Sequence, residues 1–361
     1  MIETAAPVAA VRRANVIGLG LIGGSVGFAL RERGWFVSGD DLDRNVAELA
    51  MSRGAVDAIG LDPEAEITFV AVPVLAAADQ VKRALTETTG SVTDVGSVKA
   101  TICAACHDPR FVGGHPMAGS ELDGLDGAQS DMFEGAIWVL TPGPDSDDAT
   151  FAGIAAVVAS LGAEVVALSA QRHDELVAVI SHVPHLTAAT LMGLASSRAE
   201  EHAALLRLAA GGFRDMTRVA SGRPEIWLDI CAENRPTIVE VLNQLIDGLA
   251  DIRDIIDADD RDGLFDRLTT ARHARANLPT RVVHPDELAE VRIPIPDRTG
   301  AAAEVFTLAA ELSVNIANFE VVHVAESTRG IAVVIIDQAH IELFRGGLIA
   351  RGFRPAIQPL S

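Results

Sequence analysis

A glycine-rich turn near the start of the chain constrains its fold more than any other feature. Gly18, Gly20 and Gly23 follow a short β-branched run and open a helical stretch. In this order the first glycine permits a tight turn, the second lets the backbone approach a pyrophosphate, and the third lets helix and strand pack closely. The helix would present its first amides, at Leu21 and Ile22, to the phosphates. The pattern predicts a Rossmann-type dinucleotide-binding domain.

Two acidic residues, Asp40 and Asp41, end the next predicted strand. A carboxylate there accepts hydrogen bonds from the ribose hydroxyls and repels a 2′-phosphate, which favours NAD over NADP. Asp41 fits the spacing after Gly39 better, and Asp40 stays an alternative. Arg44 is placed either to stack on the adenine or to meet a 2′-phosphate. Val72, at the end of the following predicted strand, completes the predicted cofactor-binding set.

The chain divides by sequence pattern into three parts. Residues 1–168 alternate short β-branched runs with helical stretches, which is typical of a mostly parallel sheet. Residues 169–280 have helical periodicity, and residues 281–361 follow the order βαββαβ of a ferredoxin-like unit. The predicted fold is α/β: a Rossmann-type NAD-binding domain, an all-helical second domain and a C-terminal ferredoxin-like α+β domain. The predicted strands of the first part cover residues 15–19, 36–40, 67–72, 91–95, 111–113, 137–140 and 164–168.

Apolar residues in the second part recur at the spacing of one helix face. A stripe of this length needs a partner surface, so the sequence predicts an intertwined helical homodimer. The stripe consists of Val239, Leu242, Leu245, Ile246, Leu249, Ile252, Ile255 and Ile256.

The composition limits the classes of partner. The formal net charge is −21, which repels nucleic-acid phosphates and anionic lipid surfaces, so we expect neither nucleic acid nor membrane as a partner. The first dozen residues contain no cationic cluster before an apolar run, so we expect a cytoplasmic protein. Residues 151–170 form the one apolar stretch that suggests a membrane span. Gly153, Ser160, Gly162 and Glu164 interrupt it, which favours a helix followed by a strand.

The three cysteines are too few for a disulfide framework. Cys103, Cys106 and His107 have the spacing of a c-type haem attachment site. Attachment of this kind follows export, which the N-terminus does not predict. A reduced, partly buried pair of thiols is therefore the favoured interpretation.

Several further patches contain residue types that a purely structural role does not require. They cover residues 94–99, 113–121, 181–185, where a proline is expected to kink the helix, and 211–218. With these motifs in this order, residues 14–280 resemble the prephenate dehydrogenase family, and the tail resembles an ACT domain, a small amino-acid-sensing module. The resemblance implies oxidative decarboxylation of prephenate, a cyclohexadienyl dicarboxylate, to 4-hydroxyphenylpyruvate with hydride transfer to NAD+.

The implied reaction needs a hydrogen-bond acceptor for a ring hydroxyl and a cation for a carboxylate, but no metal. The resemblance implies that His115 accepts the hydroxyl hydrogen bond and that Ser97 bonds both this histidine and the hydroxyl. It also implies that Arg218 binds a substrate carboxylate through its planar fork. His185 is implied to contact substrate. Together with His182, one helical turn earlier, it would form a metal pair that lacks a third ligand.

Five other residues have less direct implied roles at the substrate site. Lys99, one of only two lysines in the chain, is predicted to contact the substrate or to support its own loop. Glu121 matches a position linked to gating of the site, and Trp227 matches an aromatic wall. Gly211 and Gly212 would let backbone approach the substrate from the partner subunit.

The sequence leaves three points about substrate, activity and effector open. Arogenate, which has an amine where prephenate has a ketone, would undergo the same chemistry. A non-catalytic NAD-binding amino-acid sensor is a more remote alternative, against which the joint presence of His115, Ser97 and Arg218 argues. In the tail, residues 297–300 or 315–316 are predicted to bind an aromatic amino-acid effector, tyrosine or phenylalanine.

Overall fold

The structure is a computed structural model, and it describes residues 11–120, 122–199, 209–276, 288–296, 300–323 and 329–359. The chain separates into two compact units, Met1–Asp254 and Ile255–Ser361. The first unit contains the Rossmann-type domain and most of the helical region. The second contains the last helix of that region and the C-terminal sheet.

The first unit begins with a parallel five-stranded sheet in the order β3-β2-β1-β4-β5, flanked by helices. The predicted Rossmann-type arrangement is confirmed, because the buried β-branched runs form the central strands. The short edge strand β3 was not predicted. The strands are β1 Arg13–Ile17, β2 Phe36–Asp40, β3 Ala58–Ile59, β4 Ile67–Val70 and β5 Ser91–Asp94. The helices are α1 Leu21–Glu32, α2 Arg44–Arg53, α3 Val74–Glu87 and α4 Ala100–Ala105.

A second, three-stranded sheet follows, with β6 antiparallel to β7 and β7 parallel to β8. A bridge between Val92 and Phe111 joins it to β5. The predicted strand at 111–113 is shifted, since the observed strand starts at Gly113 and includes His115. The shift was not predictable because a Gly-Gly-His-Pro run has low strand propensity, and pairing with β7 overrides it. The elements are β6 Gly113–Pro116, β7 Ile137–Thr141, α5 Asp148–Ser160 and β8 Glu164–Ala167.

The helical region that follows is confirmed as all-helical where the structure describes it. Helices α6 and α7 form one run, Ala170–Ser197, that is long and apolar enough to cross a membrane by length and composition alone. Residues 151–170, the stretch that suggested a span in the sequence, form most of α5, a turn, β8 and the first residue of α6. The helices are α6 Ala170–Val177, α7 Val183–Ala199, α8 Gly211–Thr217, α9 Pro224–Glu233, α10 Arg235–Asp257 and α11 Arg261–Ala276.

A π-helical turn, Ala178–His182, connects α6 to α7. The amide of Val183 donates to the carbonyl of Ala178, five residues earlier, so one extra residue is inserted into the helix. Pro184 lies directly after this insertion, in the first turn of α7, where a missing amide is tolerated. The predicted proline interruption is therefore a local change of helical register, and the helix continues through it.

The predicted apolar stripe on α10 is divided between two environments. Leu242 and Leu245 pack against a buried cluster formed by Val98, Ala178, Val183, Ile230 and Ile238. In contrast, Val239, Ile246 and Leu249 are exposed in the single chain. Only part of the stripe is thus covered within one subunit.

The C-terminal unit has the predicted βαββαβ order, with an antiparallel sheet in the order β10-β11-β9-β12. Val291, Ile293 and Ile295 alternate into its core, as their spacing predicted. This element and strand order is that of a ferredoxin-like unit. The elements are β9 Leu288–Pro296, α12 Ala301–Glu311, β10 Ile316–His323, β11 Arg329–Asp337, α13 Ile341–Ala350 and β12 Ala356–Pro359.

Candidate active site

The glycine turn between β1 and α1 combines two tightly packed positions with one open position. Gly18 has φ +87°, and a Cβ there would lie 2.3 Å from the carbonyl oxygen of Ala71. A Cβ on Gly23 would lie 1.9 Å from the carbonyl oxygen of Gly18, whereas one on Gly20 would meet no atom within 4 Å. Gly18 and Gly23 are therefore required by the fold, and Gly20 leaves a space that a pyrophosphate fits.

The start of α1 and the end of β4 border this space. No side chain caps α1, so the amides of its first turn, which include those of Leu21 and Ile22, are not capped by the protein. Val72 lies beside Gly18, with its Cγ1 3.0 Å from the position a Cβ on that glycine would occupy. A dinucleotide pyrophosphate fits this arrangement of donors and open backbone.

The two aspartates after β2 have different partners. Asp41 Oδ2 accepts a hydrogen bond from the amide of Leu19, inside the glycine turn, at 2.8 Å. Asp40 instead forms an ion pair with Arg83 at 2.7 Å, which raises the pKa of that guanidinium. The structure thus favours Asp41 over Asp40 as the ribose-binding carboxylate. Arg44, at the start of α2, forms an exposed ion pair with Glu48 at 2.9 Å.

A chain of hydrogen bonds runs from β6 to the helical region. His115 Nδ1 lies 2.8 Å from His173 Nε2, and His173 Nδ1 lies 2.7 Å from Asp174 Oδ1. The backbone amides of Lys99 and Ala100, at the start of α4, donate to the two oxygens of Asp174 at 2.8 Å each. His115 is half-buried, while His173 and Asp174 are buried on α6.

His173 and Asp174 were not among the predicted site residues, and the implied bond between Ser97 and His115 is not found. Among the described residues, the ring nitrogen Nδ1 of His115 is bonded to His173, and Ser97 is half-buried on the loop before α4. The only signal in the sequence is the adjacent pair His173-Asp174 on a predicted helix. Nothing in its spacing connects it to a residue 58 positions earlier.

Lys99 is fully buried and forms an ion pair with Asp94, whose side chain is also fully buried. The Lys99 ammonium also donates to the carbonyl of Gly114 at 2.8 Å, and Asp94 Oδ1 accepts from the amide of Gly114 at 3.1 Å. Both groups therefore hold the residue that precedes His115. Of the two predicted roles of Lys99, support of the loop agrees with these bonds, because its ammonium is bonded inside the protein.

The His115 imidazole is kept neutral. Burial is the main cause that lowers its pKa well below the ordinary value, and electrostatic interactions with His173, Lys99 and His182 lower it further. A neutral imidazole has one bare ring nitrogen, which accepts a hydrogen bond. His115 can therefore act as a base toward a hydroxyl group at neutral pH.

An aromatic stack forms a second part of the site. The rings of His185, on α7, and Trp227, on α9, are parallel to within 14° with centroids 3.5 Å apart. Burial lowers the pKa of His185, and burial lowers that of His182 to about 4. Asn234, between α9 and α10, donates to the carbonyl of Asp174 at 2.9 Å and lies 3.3 Å from His182 Nδ1. The structure thus brings the predicted wall residue Trp227 together with His185.

Three predicted site residues are exposed in the single chain. Gly211 and Gly212 begin α8, and a Cβ on either would meet no atom within 4 Å. Arg218 is exposed in the turn that follows α8. Glu121 lies outside the described residues. In the part of the chain that the structure describes, no cluster of three His, Cys, Asp or Glu side chains could hold a metal ion.

Comparisons with known proteins identify the family. Residues 26–167 match the family model described as prephenate dehydrogenase, nucleotide-binding domain, and residues 169–270 match prephenate dehydrogenase, dimerization domain. A curated prephenate dehydrogenase from Bacillus subtilis is 32% identical over 330 residues, covering 87% of this chain and 89% of the relative. The chain belongs to the prephenate dehydrogenase family.

Two solved structures resemble this chain. One is the A. aeolicus prephenate dehydrogenase in complex with hydroxyphenyl propionate and NAD+, at 25% identity and TM-score 0.70, covering 75% of this chain and 99% of that one. The other is Synechocystis arogenate dehydrogenase, at 30% identity and TM-score 0.63, covering 73% and 98%. The segments that match the family models end at residue 270. The Bacillus subtilis match covers 87% of this chain and therefore extends beyond that residue, into the C-terminal unit.

Proposed function

We propose that this member of the prephenate dehydrogenase family oxidises prephenate to 4-hydroxyphenylpyruvate and carbon dioxide with NAD+ as the hydride acceptor. The hydrogen on the ring carbon that bears the hydroxyl leaves as hydride. The ring carboxylate leaves as carbon dioxide, and its bonding electrons complete the aromatic ring. The observation that carries this proposal is the neutral, half-buried His115 in the same unit as an open dinucleotide-binding turn.

The residues of this chain have separate tasks in the proposed reaction. Bound NAD+ supplies the hydride acceptor, held by the glycine turn and by Asp41. His115 accepts a hydrogen bond from the ring hydroxyl while positive charge develops on the substrate carbon that bears this hydroxyl. The hydroxyl proton stays on the phenol product after aromatisation. Arg218 binds a substrate carboxylate, His185 and Trp227 form the wall beside the ring, and Ser97 is a second contact for the hydroxyl.

The direct test mixes the purified protein with NAD+ and prephenate and follows NADH absorbance. We expect turnover that falls about 10²–10⁴-fold in His115→Asn, while NAD+ affinity stays within about twofold. His107→Gln is the matched control, since His107 is an exposed histidine paired with Asp145. Absence of NADH formation with the wild-type protein would favour the non-catalytic sensor.

Arogenate is the second candidate substrate, and similarity to an arogenate dehydrogenase supports keeping it. Prephenate has a ketone where arogenate has an amine, and this group lies away from the reacting carbon. We expect a higher kcat/KM for prephenate than for arogenate with NAD+. A preference for arogenate would reverse the assignment of substrate but not the chemistry.

We propose a homodimer, in which the exposed apolar side chains Val239, Ile246 and Leu249 of α10 are covered by a second copy. Burying exposed apolar surface of this kind is a main driving force of association. The description of the matched helical family model, which is a dimerization domain, supports this state. In such a dimer, the open backbone at Gly211 and Gly212 would approach the substrate of the partner subunit.

We further propose that the C-terminal unit is an ACT-like regulatory domain that binds an aromatic amino acid. Its strand order and the left-handed Gly300 at the start of α12 support the proposal. Residues 315–316 are the described candidate site, and residues 297–299 lie outside the described part. Titrating tyrosine and phenylalanine during turnover tests it, and indifference to both would reduce this unit to an assembly element.

We propose that residues 1–168, 169–280 and 281–361 are separate functional domains and that the protein is cytoplasmic. Expression of residues 1–280 alone tests the division. Retained NAD+ binding with lost sensitivity to amino acids is the expected result.

A further inference from the structure

We propose that His173 and Asp174 are positioning residues that hold His115 in one tautomer, with its proton on Nδ1 and its Nε2 bare as the hydrogen-bond acceptor for substrate. The functional part of this inference rests on the proposed dehydrogenase reaction. The tautomer itself follows from the hydrogen bonds of the protein.

The direction of the hydrogen bonds is set at the Asp174 end of the chain. Backbone amides of Lys99 and Ala100 donate to the two carboxylate oxygens of Asp174, each at 2.8 Å. A carboxylate is an acceptor only, so the contact of 2.7 Å between Asp174 Oδ1 and His173 Nδ1 requires the histidine to donate. His173 therefore carries its proton on Nδ1.

The proton position on His173 determines the proton position on His115. A neutral imidazole has one proton, so His173 Nε2 is bare and accepts. The contact of 2.8 Å between His173 Nε2 and His115 Nδ1 is a hydrogen bond only if His115 donates from Nδ1. Its other ring nitrogen, Nε2, has no hydrogen-bond partner among the described residues and is left without a proton.

A doubly protonated His173 would reverse this order and place the His115 proton on Nε2. That state puts a cation on a side chain that is fully buried, in a site that also holds the Lys99 ammonium and the neutral His182. One negative charge, that of Asp174, faces His173, and a second, that of Asp94, is already paired with Lys99. A single proton on His173 Nδ1 satisfies the hydrogen bonds at both of its ring nitrogens, so the geometry requires no second proton.

The pair also connects the base to the helices that carry the predicted substrate contacts. His173 and Asp174 lie on α6, which continues through the π-turn into the helix that carries His185. Asn234, between α9 and α10, anchors the Asp174 carbonyl. The orientation of the His115 ring on β6 is thus set by the helices that hold the substrate wall, and its bare nitrogen is aligned before substrate binds.

The first test measures the tautomer directly and needs no substrate. In protein labelled with ¹⁵N-histidine, the ring nitrogens of His115, assigned by comparison with His115→Asn, distinguish protonated Nδ1 from protonated Nε2. We expect Nδ1 to be protonated in the wild type and in the control His107→Gln. In His173→Leu we expect loss of this preference. A wild-type His115 protonated on Nε2, or a tautomer that is unchanged in His173→Leu, would overturn the inference.

The second test separates positioning from simple packing. His173→Gln offers a side-chain oxygen as acceptor for His115 Nδ1, whereas His173→Leu offers none. We expect kcat to fall about 10²-fold or more in the leucine variant. The loss of kcat in the glutamine variant should be smaller by a factor of about ten or more, and NAD+ affinity should stay within about twofold in both. Equal losses in the two folded variants would contradict the inference. Failure of the wild type to oxidise prephenate would remove the proposed function and leave the tautomer result intact.

Discussion

Lys99 and Asp94 form an ion pair in which both side chains are fully excluded from solvent, and both also bond to the backbone of Gly114. A buried pair of this kind adds little net stability by itself, because removing two charges from water offsets their attraction. Its consequence here is geometric, since it fixes the strand residue before His115. Removing one partner leaves the other charge buried and unpaired.

We therefore expect Lys99→Met to lower the free energy of unfolding by about 3–5 kcal/mol, measured by urea denaturation. The matched control is Lys82→Met, which removes the only other lysine of the chain from an exposed position. The double variant Lys99→Met/Asp94→Asn should recover part of the loss, because it leaves no unpaired charge. An unchanged denaturation midpoint in Lys99→Met would contradict the buried pair.

The glycine turn predicts opposite outcomes for two similar substitutions. Gly20→Ala should fold with an unchanged melting temperature, because its Cβ meets no protein atom within 4 Å, and should weaken NAD+ binding about tenfold or more. Gly23→Ala should lower the melting temperature, because its Cβ would lie 1.9 Å from the carbonyl oxygen of Gly18. Thermal denaturation and calorimetric titration with NAD+ distinguish the two. Full NAD+ affinity in Gly20→Ala would remove the pyrophosphate from this position.

The choice of cofactor should depend on Asp41 and not on Asp40. In Asp41→Asn we expect the ratio of NAD+ to NADP+ affinity to fall about tenfold, because the carboxylate that repels a 2′-phosphate is gone. Asp40→Asn is the control, as Asp40 is paired with Arg83. Binding constants of both cofactors give the answer, and a larger change in the Asp40 variant would reverse the assignment.

The pH dependence of stability should contain a contribution from His182. Its folded pKa of about 4 lies below the ordinary value of 6.5, so the unfolded chain binds this proton first as the pH falls. The stabilisation is present above pH 6.5 and is lost between pH 6.5 and 4, by on the order of 3 kcal/mol. The free energy of unfolding of His182→Asn should fall less over this range than that of the wild type. Parallel curves for the two proteins would show that His182 is not held neutral.

Patterns within short stretches of sequence determined the secondary structure, the domain types and the family of this protein. The glycine turn, the parallel alternation, the helical second region and the βαββαβ tail depend on local periodicity and turn residues, and they were predictable for that reason. The family resemblance depends on motifs that are contiguous in the chain, such as the patch around His115. Its family assignment was confirmed by the comparisons.

Only the tertiary structure decided which side chains meet. His173 lies 58 positions from His115 in the chain and 2.8 Å from it in the fold, a contact that no local pattern encodes. The sequence alone did not decide the burial of Lys99 or the separate partners of Asp40 and Asp41. The role of a charged side chain depends on the charges and the solvent around it, which only the packing of distant elements sets. Periodicity reports which face of an element is apolar, whereas hydrogen bonds between distant elements depend on how those elements pack.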